Sequence, residues 1–409
     1  MLTRRFGLSD SASIDTYLAT DGYVALRKAQ GMQPDEIIEV VKASGLRGRG
    51  GAGFPTGMKW SFVPRSSPQP KYIVANGDES EPGTCKDRLL MENDPHQLIE
   101  GMAIAALAVG ARAGYIYVRG EFRYLIAILD RAIDEARARG FLGNGFDIYT
   151  HTGAGAYECG EESALLESLE GKRGVPPIRP PFPAVVGAFQ SPTVLNNVET
   201  YCAVPPILRD GGAAFAALGT PRNGGTRLFC LSGHVNRPGV YELPMGFNLL
   251  RMIEEVGGGV RGGKQLKAVI PGGSSCPVLK ADECDLAMDF DTLAKAKSML
   301  GSGGVVVMDE DTCMVQAALR IMRFYAHESC GWCIPCREGT IWLRKLLARF
   351  HDGEGTSTDI DLVGDVAKNM LGRTFCPLGD AAAMPTIAFV EKFRDDFEAH
   401  LGGRPCPYA

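Results

Sequence analysis

Three cysteines at two-residue gaps, Cys330, Cys333 and Cys336, stand in the run Cys-Gly-Trp-Cys-Ile-Pro-Cys. That spacing places three thiolates on one tight loop, aimed at a common centre. A four-iron, four-sulfur cubane takes four thiolates, so three near ligands and one distant one satisfy it. Zinc sites more often use two separated pairs, each gripping one side of a tetrahedron. A redox or purely structural triplet is the third reading; the spacing favours the cluster. The fourth ligand has three candidates, Cys313, Cys376 and Cys406. Cys376 is followed by Pro377, as cluster cysteines often are, and lies in a second loop of the same predicted helical region. Cys406 sits in the C-terminal tail, where chains fray, and Cys313 falls near a helix start. Cys376 is the expected ligand. The chain has twelve cysteines, and most of the others read as buried small hydrophobes.

A second candidate is glycine-rich. Gly48-Arg49-Gly50-Gly51-Ala52-Gly53 satisfies G-x-G-x-x-G. A dinucleotide fingerprint leaves a strand and enters a helix, whereas this loop leaves a predicted helix. Its glycines still let backbone N–H groups approach a phosphate or a flat ring, with Arg47, Arg49 and Lys59 adding positive charge. A surface turn is the plainer reading. Phe54, Trp60 and Phe62 follow closely and suit either ring stacking or core packing. Further on, Gly160-Glu161-Glu162-Ser163 opens a helix with Leu165, Leu166 and Leu169 on its apolar side. Acidic residues in a first turn are favoured by the helix dipole alone.

The elements that must position these residues follow from periodicity. A helix is predicted around 37–44, a strand at 71–75 closed by a turn at 76–78, a helix at 95–110 and a strand at 115–118. A helix at 122–139 and a strand at 146–150 come next. Alternation of this kind gives an α/β layer with a mostly parallel sheet. Residues 171–183, rich in proline and positive charge, read as an irregular loop. From about 226, short β runs (227–231, 239–242, 268–270, 305–308) surround one helix at 248–256, the pattern of a small α+β domain. After 311 the chain is helical, broken at the cysteine loop, at 352–358 and around Cys376.

Composition removes several classes. Of 409 residues, 45% are hydrophobic and 22% charged, the balance of a globular protein. A formal charge of −5 gives no basic face for nucleic acid. The longest apolar run, 101–118, is interrupted by Gly110, Arg112 and Gly114, so no membrane-spanning helix is expected. No apolar stretch near the N-terminus supports a secretory signal, and a cytosol-like compartment is expected.

Six segments together resemble the NADH-binding flavoprotein subunit of respiratory complex I, the NADH:quinone oxidoreductase (the F, 51 kDa-type or flavoprotein 1 subunit). They are GLRGRGGAGFPTGMKW (45–60), NGDESEPGTCKDR (76–88), ECGEESALLESLEG (158–171), RPPFPA (179–184), NNVET (196–200) and ESCGWCIPCREG (328–339). Two departures are Glu158, where the family usually has an aliphatic residue, and Arg179, where some members have lysine. The family also holds diaphorase subunits of NAD-linked hydrogenases and formate dehydrogenases. Those often carry a thioredoxin-like module ahead of the flavin domain, and this chain starts too late for one.

The resemblance implies four segments. They are an N-terminal segment with the glycine-rich loop (1–56), an α/β FMN- and NADH-binding domain (57–220), a ubiquitin-like α+β domain of SLBB type (221–310), and a helical bundle carrying a [4Fe-4S] cluster (311–409). It places FMN against Gly48, Arg49, Gly50, Gly51, Lys59, Asn76, Asp78, Glu79, Ser80, Gly160, Glu161, Asn196, Asn197 and Thr200. NADH would meet Phe54, Lys59, Phe62, Glu81, Glu162, Arg179 and Phe182. Hydride transfer from NADH to FMN needs no acid–base residue, and Glu162 would tune flavin and nucleotide. Single electrons then pass to the cluster on Cys330, Cys333, Cys336 and Cys376, and on to partner subunits. The implied partners are a thioredoxin-like [2Fe-2S] subunit and the large iron–sulfur subunit, at the cytoplasmic face of the inner membrane. A zinc-stapled, non-enzymatic scaffold is the reading from a different class.

Overall fold

The computed structural model describes residues 1–403 and 406–408; residues 404, 405 and 409 of the expected helical segment lie outside the described residues. The chain divides into two compact units. The first comprises Met1–Ser80, Cys85–Phe229 and Val240–Gly246. The second comprises Glu81–Thr84, Cys230–Gly239 and Phe247–Ala409.

The first unit is built on a four-stranded sheet. Its strands are β1 (Tyr72–Gly77), β2 (Ala113–Val118), β3 (Asp147–Thr152) and β4 (Thr193–Asn197), in the order β3-β2-β1-β4. All neighbours are parallel. Parallel strands need crossovers, and crossover helices cover both faces. The side chains alternate accordingly. Ile73, Ala75, Ile116, Val118 and Val194 enter one apolar cluster, while Val74, Tyr117 and Leu195 enter another. On the first face the helix Pro95–Val109 is buried almost all round. Gly101 lets it approach the helix Val198–Cys202, because a Cβ there would stand 2.0 Å from the Tyr201 carbonyl oxygen. On the second face lies the helix Glu162–Leu169.

Two local expectations change. β1 runs on through Asn76 and Gly77, where a turn is predicted from the polar residues. Asn76 pairs in register with Tyr117 and Asn197, so the sheet ladder overrides the local turn preference. The helix Lys86–Asn93 has no counterpart in the periodicity. Its sequence Lys-Asp-Arg-Leu-Leu-Met-Glu-Asn offers a weak apolar stripe, and its N-terminus is closed from outside. Glu79 Oε1 accepts from the Lys86 and Asp87 amides at 2.7 and 2.8 Å, and Oε2 from Arg88 at 3.1 Å. A carboxylate seven residues upstream thus satisfies amides that a helix start leaves open.

β5 (Thr226–Gly233), β6 (Gly239–Pro244), β7 (Leu266–Ile270), β8 (Leu279–Lys280) and β9 (Gly304–Asp309) occupy or extend the predicted β runs, and β8 is additional. Within the second unit the end of β5 pairs in parallel with β9, from Cys230↔Gly304 to Gly233↔Val307. β7 runs antiparallel to β9, and β8 to β7. The expected helix at 248–256 is a short α-turn, Leu249–Arg251, capped by Asn248 and continued by a π-turn at Met252–Val256. Four long helices follow among the described residues, Met314–Glu328, Ile334–His351, Ser357–Met370 and Leu378–Lys392, with a short one at Arg394–Glu398. Each packs on the next and the last returns to the first.

Candidate functional site

In the first unit β2 and β3 lie to one side of β1 and β4 to the other. The order reverses between β1 and β4, and open parallel sheets bind ligands outside the carboxyl ends of such strands. Asn76, Asp78, Asn196 and Asn197 stand at those ends. These four are among the residues that the resemblance implies for FMN.

The glycine-rich loop is closed, not free. Gly48 N donates to Phe54 O at 2.9 Å and Thr56 N to Leu46 O at 2.9 Å, and the Arg47 guanidinium donates to Gly53 O at 2.6 Å. Arg49 N donates to Thr200 Oγ1 at 2.9 Å, which ties the loop beside β4. A Cβ on Gly50 would stand 3.2 Å from Asn197 Cβ. Gly160 faces the end of β1: its carbonyl accepts from Asn76 Nδ2 at 2.9 Å, and a Cβ on it would stand 3.3 Å from Asp78 Oδ2. Ser80 Oγ donates to the same carboxylate oxygen at 3.0 Å. Four segments far apart in sequence thus form one rim.

Charge on this rim is paired. Lys59 Nζ lies 2.9 Å from Glu162 and donates to Leu195 O at 2.7 Å. Arg179 lies 2.9 Å from Glu161, whose other oxygen accepts from Ser163 N and Ala164 N at the helix start. The helix-start role expected from the dipole is thus filled by Glu161, while Glu162 points to Lys59. Arg179 is joined to Pro180 by a cis peptide bond, as is Pro180 to Pro181.

Several residues that the resemblance assigns to the ligands also make contacts within the fold. The Arg49 guanidinium is buried and donates to the Gly224 and Thr226 carbonyls at 2.9 and 3.0 Å. Burial brings its pKa down to about 9, with Glu199 opposing. Glu79 spends its carboxylate on the helix Lys86–Asn93, as above. Glu81 belongs to the second unit, where it accepts from Ser275 N at 2.8 Å and Ser274 Oγ at 3.2 Å.

The aromatic group divides as well. Trp60 is buried and its Nε1 donates to Asn196 Oδ1 at 3.0 Å. Phe54 and Phe62 are 45% and 53% exposed, with ring centroids 6.0 Å apart, and Phe182 is 60% exposed. Rings so exposed are not core, and they offer faces to another ring.

Behind the rim lies a network that sequence reasoning did not single out. Lys86, buried, contacts Asp87 and Glu199 at 2.8 Å each and Asn197 Oδ1 at 3.2 Å. Burial disfavours its charge, but the two carboxylates outweigh it and hold the ammonium above its usual range. Asn197 also donates to Asp87 and caps the helix Val198–Cys202 by accepting from Glu199 N at 3.0 Å. The signal was present in the Cys-Lys-Asp-Arg and Asn-Asn-Val-Glu-Thr runs, but nothing local pairs them. This glycine-lined cradle, walled by amides and a carboxylate, fits a flat heterocycle with a polar tail such as FMN.

In the second unit Cys330 and Cys333 lie in the link between two helices, and Cys336 stands in the first turn of the second, Ile334–His351. Gly331 turns the link at φ +76°, and Cys333 is the N-cap of the helix Ile334–His351. Ser329 Oγ lies 3.3 Å from Cys336 Sγ. Cys376 precedes the helix Leu378–Lys392, which packs on Ile334–His351. Its loop is folded tightly: Thr374 Oγ1 donates to Cys376 O at 2.8 Å, and a Cβ on Gly379 would meet Thr374. Cys336 and Cys376 are buried, and Cys330 and Cys333 half-buried. Cysteine thiolates are the soft ligands that an iron–sulfur cubane takes. The other two candidates are elsewhere engaged: Cys313 and Cys406 lie together beside His400.

The parallel sheet with its switch-point cradle, joined in one chain to a cysteine-bearing helical region, defines a flavin-binding, iron–sulfur electron-transfer protein. The chain matches the family models described as Nuo51 FMN-binding domain over residues 41–206, SLBB domain over 227–307, and NADH-ubiquinone oxidoreductase-F iron-sulfur binding region over 316–400. It is 54% identical to the F 2 subunit of NADH-quinone oxidoreductase from Rhizobium meliloti, over 100% of this chain and 99% of that protein. It is 49% identical to the F subunit of NADH-quinone oxidoreductase from Streptomyces coelicolor, covering 98% of this chain and 90% of the relative. Among solved structures, an NAD+-reducing [NiFe]-hydrogenase chain in the H2-reduced state is similar at TM-score 0.84 and 39% identity. That match covers 93% of this chain and 65% of the hydrogenase chain. The chain belongs to the family of NADH-quinone oxidoreductase F subunits, whose cofactors are FMN and a four-iron cluster.

Proposed function

We propose that this chain is the NADH dehydrogenase, electron-input subunit of a proton-pumping NADH:quinone oxidoreductase. The observation that carries the reading is the convergence of Gly50, Asn76, Asp78, Gly160, Asn197 and Thr200 on the β1/β4 switch point. When bound, FMN takes both electrons of a hydride and the four-iron cluster takes electrons singly, which couples NADH to a one-electron chain.

The protein's own contribution is positioning and electrostatics. Gly48, Gly50, Gly51 and Gly160 keep the cradle open where side chains would fill it, with the Arg49 backbone anchored on Thr200. Asn76, Asn196, Asn197, Asp78 and Ser80 present polar groups to the flavin, while Glu79 and the Arg49 side chain hold the rim's shape from behind. Lys59 and Glu161 complete it. Phe54, Phe62 and Phe182 offer faces to the nicotinamide nucleotide, with Arg179 and Glu162 beside them and Glu81 assigned to the same ligand. The Glu162 carboxylate, paired to Lys59, disfavours extra negative charge on a bound ring. Cys330, Cys333, Cys336 and Cys376 hold the cluster. The four segments, 1–56, 57–220, 221–310 and 311–409, are our functional division of the chain.

Trp332, Ile334 and Phe375 are exposed beside the cluster cysteines, an apolar surface suited to an electron-accepting subunit. We assign the partners as a thioredoxin-like [2Fe-2S] subunit and a large iron–sulfur subunit. Among the described residues no helix is long and apolar enough to cross a membrane, in keeping with peripheral attachment through the complex. The hydrogenase likeness supports a second reading, the diaphorase subunit of a soluble NAD-linked enzyme. Anaerobic NADH added to the purified chain should bleach the flavin absorbance and raise a reduced-cluster paramagnetic signal. Protein that releases no flavin on denaturation, or contains no iron, overturns the reading. Co-purification with hydrogenase subunits instead of quinone-reductase subunits selects the second.

A further inference from the structure

We infer that Cys313, His400 and Cys406 form a second metal site, one that takes zinc and ties the end of the chain to the start of the helix Met314–Glu328. Their ligand atoms all lie within 4.8 Å of one another. Cys313 Sγ stands 3.5 Å from His400 Nε2. With Zn–S near ~2.3 Å and Zn–N near ~2.0 Å, the S···N edge of a zinc tetrahedron is about 3.6 Å. The pair therefore already stands at the separation that a shared ion imposes.

The histidine is set as a ligand. His400 is buried, and its Nδ1 lies 2.7 Å from the Asp396 carbonyl oxygen. A carbonyl can only accept, so Nδ1 carries the proton and Nε2 turns its lone pair towards Cys313. Metal-bound histidines are oriented by this kind of outer hydrogen bond. The segment bearing Cys406 is held in place by the same residue: Tyr408 Oη donates to Asp396 Oδ1 at 3.2 Å, and Lys267 Nζ, 2.8 Å from Asp396 Oδ2, lies 4.0 Å from the Tyr408 ring centroid.

Two thiolates and one imidazole are soft and borderline ligands, which select zinc over magnesium or calcium. Two thiolates also balance a divalent charge, so the ion adds no net charge to a mostly buried place. Cys313 is buried while Cys406 is partly exposed, leaving an entry path and a solvent-facing fourth position for water. Metal binding releases the two thiol protons to solvent and leaves the oxidation states unchanged.

The test uses the full chain loaded with flavin and iron, equilibrated with zinc sulfate and then dialysed. Metal analysis should find roughly one zinc per chain retained by wild type. Zinc K-edge absorption should show two sulfur and one nitrogen neighbours. Cys406→Ser, at a partly exposed position, and His400→Gln should each lower retained zinc at least about tenfold with iron content unchanged. Three results overturn the site: equal zinc in wild type and Cys406→Ser; a wild-type absorption spectrum without two sulfurs, which leaves only a thiol–imidazole hydrogen bond; or a Cys313–Cys406 disulfide in the purified protein. Loss of iron together with zinc in Cys406→Ser also overturns it, because it moves Cys406 into the cluster.

Discussion

The flavin cradle and the cluster loop solve the same problem, holding a large cofactor, by opposite means. The cluster loop gathers three of the four ligands we propose within seven residues, and only Cys376 must arrive from a distance. The cradle takes its rim from four segments between residues 48 and 200, brought together by strand order and not by local spacing. A site made by local spacing survives much change elsewhere and fails when one ligand goes. A site made by topology is sensitive to whatever holds the sheet and its flanking helices, and individual contacts matter less.

The largest effect that this contrast predicts comes from the distant thiolate. Cys376→Ser should abolish the reduced four-iron paramagnetic signal while leaving FMN in place, so NADH oxidation by an artificial two-electron acceptor should largely survive. Cys313→Ser and Cys406→Ser should keep the signal. An intact signal in Cys376→Ser would falsify the assignment.

The second prediction strikes at the helical support of the sheet. His96 is buried, with Tyr23 Oη 3.0 Å from Nδ1 and Glu135 Oε2 3.1 Å from Nε2. Burial lowers its pKa from 6.5 to about 4, outweighing the attraction of Glu135. The folded form then keeps a neutral ring that the unfolded chain protonates below pH 6.5. Stability contributed this way is complete above pH 6.5 and is lost as pH falls towards 4, by up to about 3 kcal/mol. Urea unfolding of wild type and His96→Gln between pH 7 and 4 measures it. Parallel pH curves for the two proteins would return His96 to an ordinary packing role.

A smaller effect belongs to the exposed rings. Phe182→Ala should raise KM for NADH by roughly fivefold, the equivalent of about 1 kcal/mol of ring contact, with FMN content unchanged. Loss of FMN, or unaltered kinetics, places Phe182 outside the nucleotide site. The smallest concerns Glu162. Its pair with Lys59 is partly solvated, so Glu162→Gln should change global stability by under about 1 kcal/mol. It should nonetheless raise the flavin midpoint potential in a redox titration and leave nucleotide binding at least as tight. An unmoved potential means the carboxylate serves only to hold Lys59.

Particular residues show where local reading stops. Asn76 and Gly77 have the composition of a turn but continue β1, because Tyr117 and Asn197 offer ladder partners on both sides. Arg49 looks like a phosphate ligand beside glycines, yet its guanidinium turns inward to backbone carbonyls. Glu79 reads locally as a cofactor ligand, and its carboxylate closes a helix seven residues downstream. For Asn76 and Arg49 the decisive partner is remote in the chain and no window of the sequence contains it; for Glu79 it is near, in a helix that the periodicity does not reveal.

By itself the sequence determined the class of chemistry: the cysteine triplet, the glycine run, the alternation of helix and strand and the absence of a basic face are all local patterns. It also determined the segments that matter, since each of the six motifs reaches the rim, the second unit's Glu81 turn or the cysteine loop. Only the tertiary structure decided which of those residues face the cradle and which stand behind it. The physical reason is that a parallel sheet pairs strands separated by whole crossovers. The meeting of Asn76 with Asn197, or of Arg49 with Thr200, is set by strand order and burial, and neither is written in the spacing of neighbouring residues.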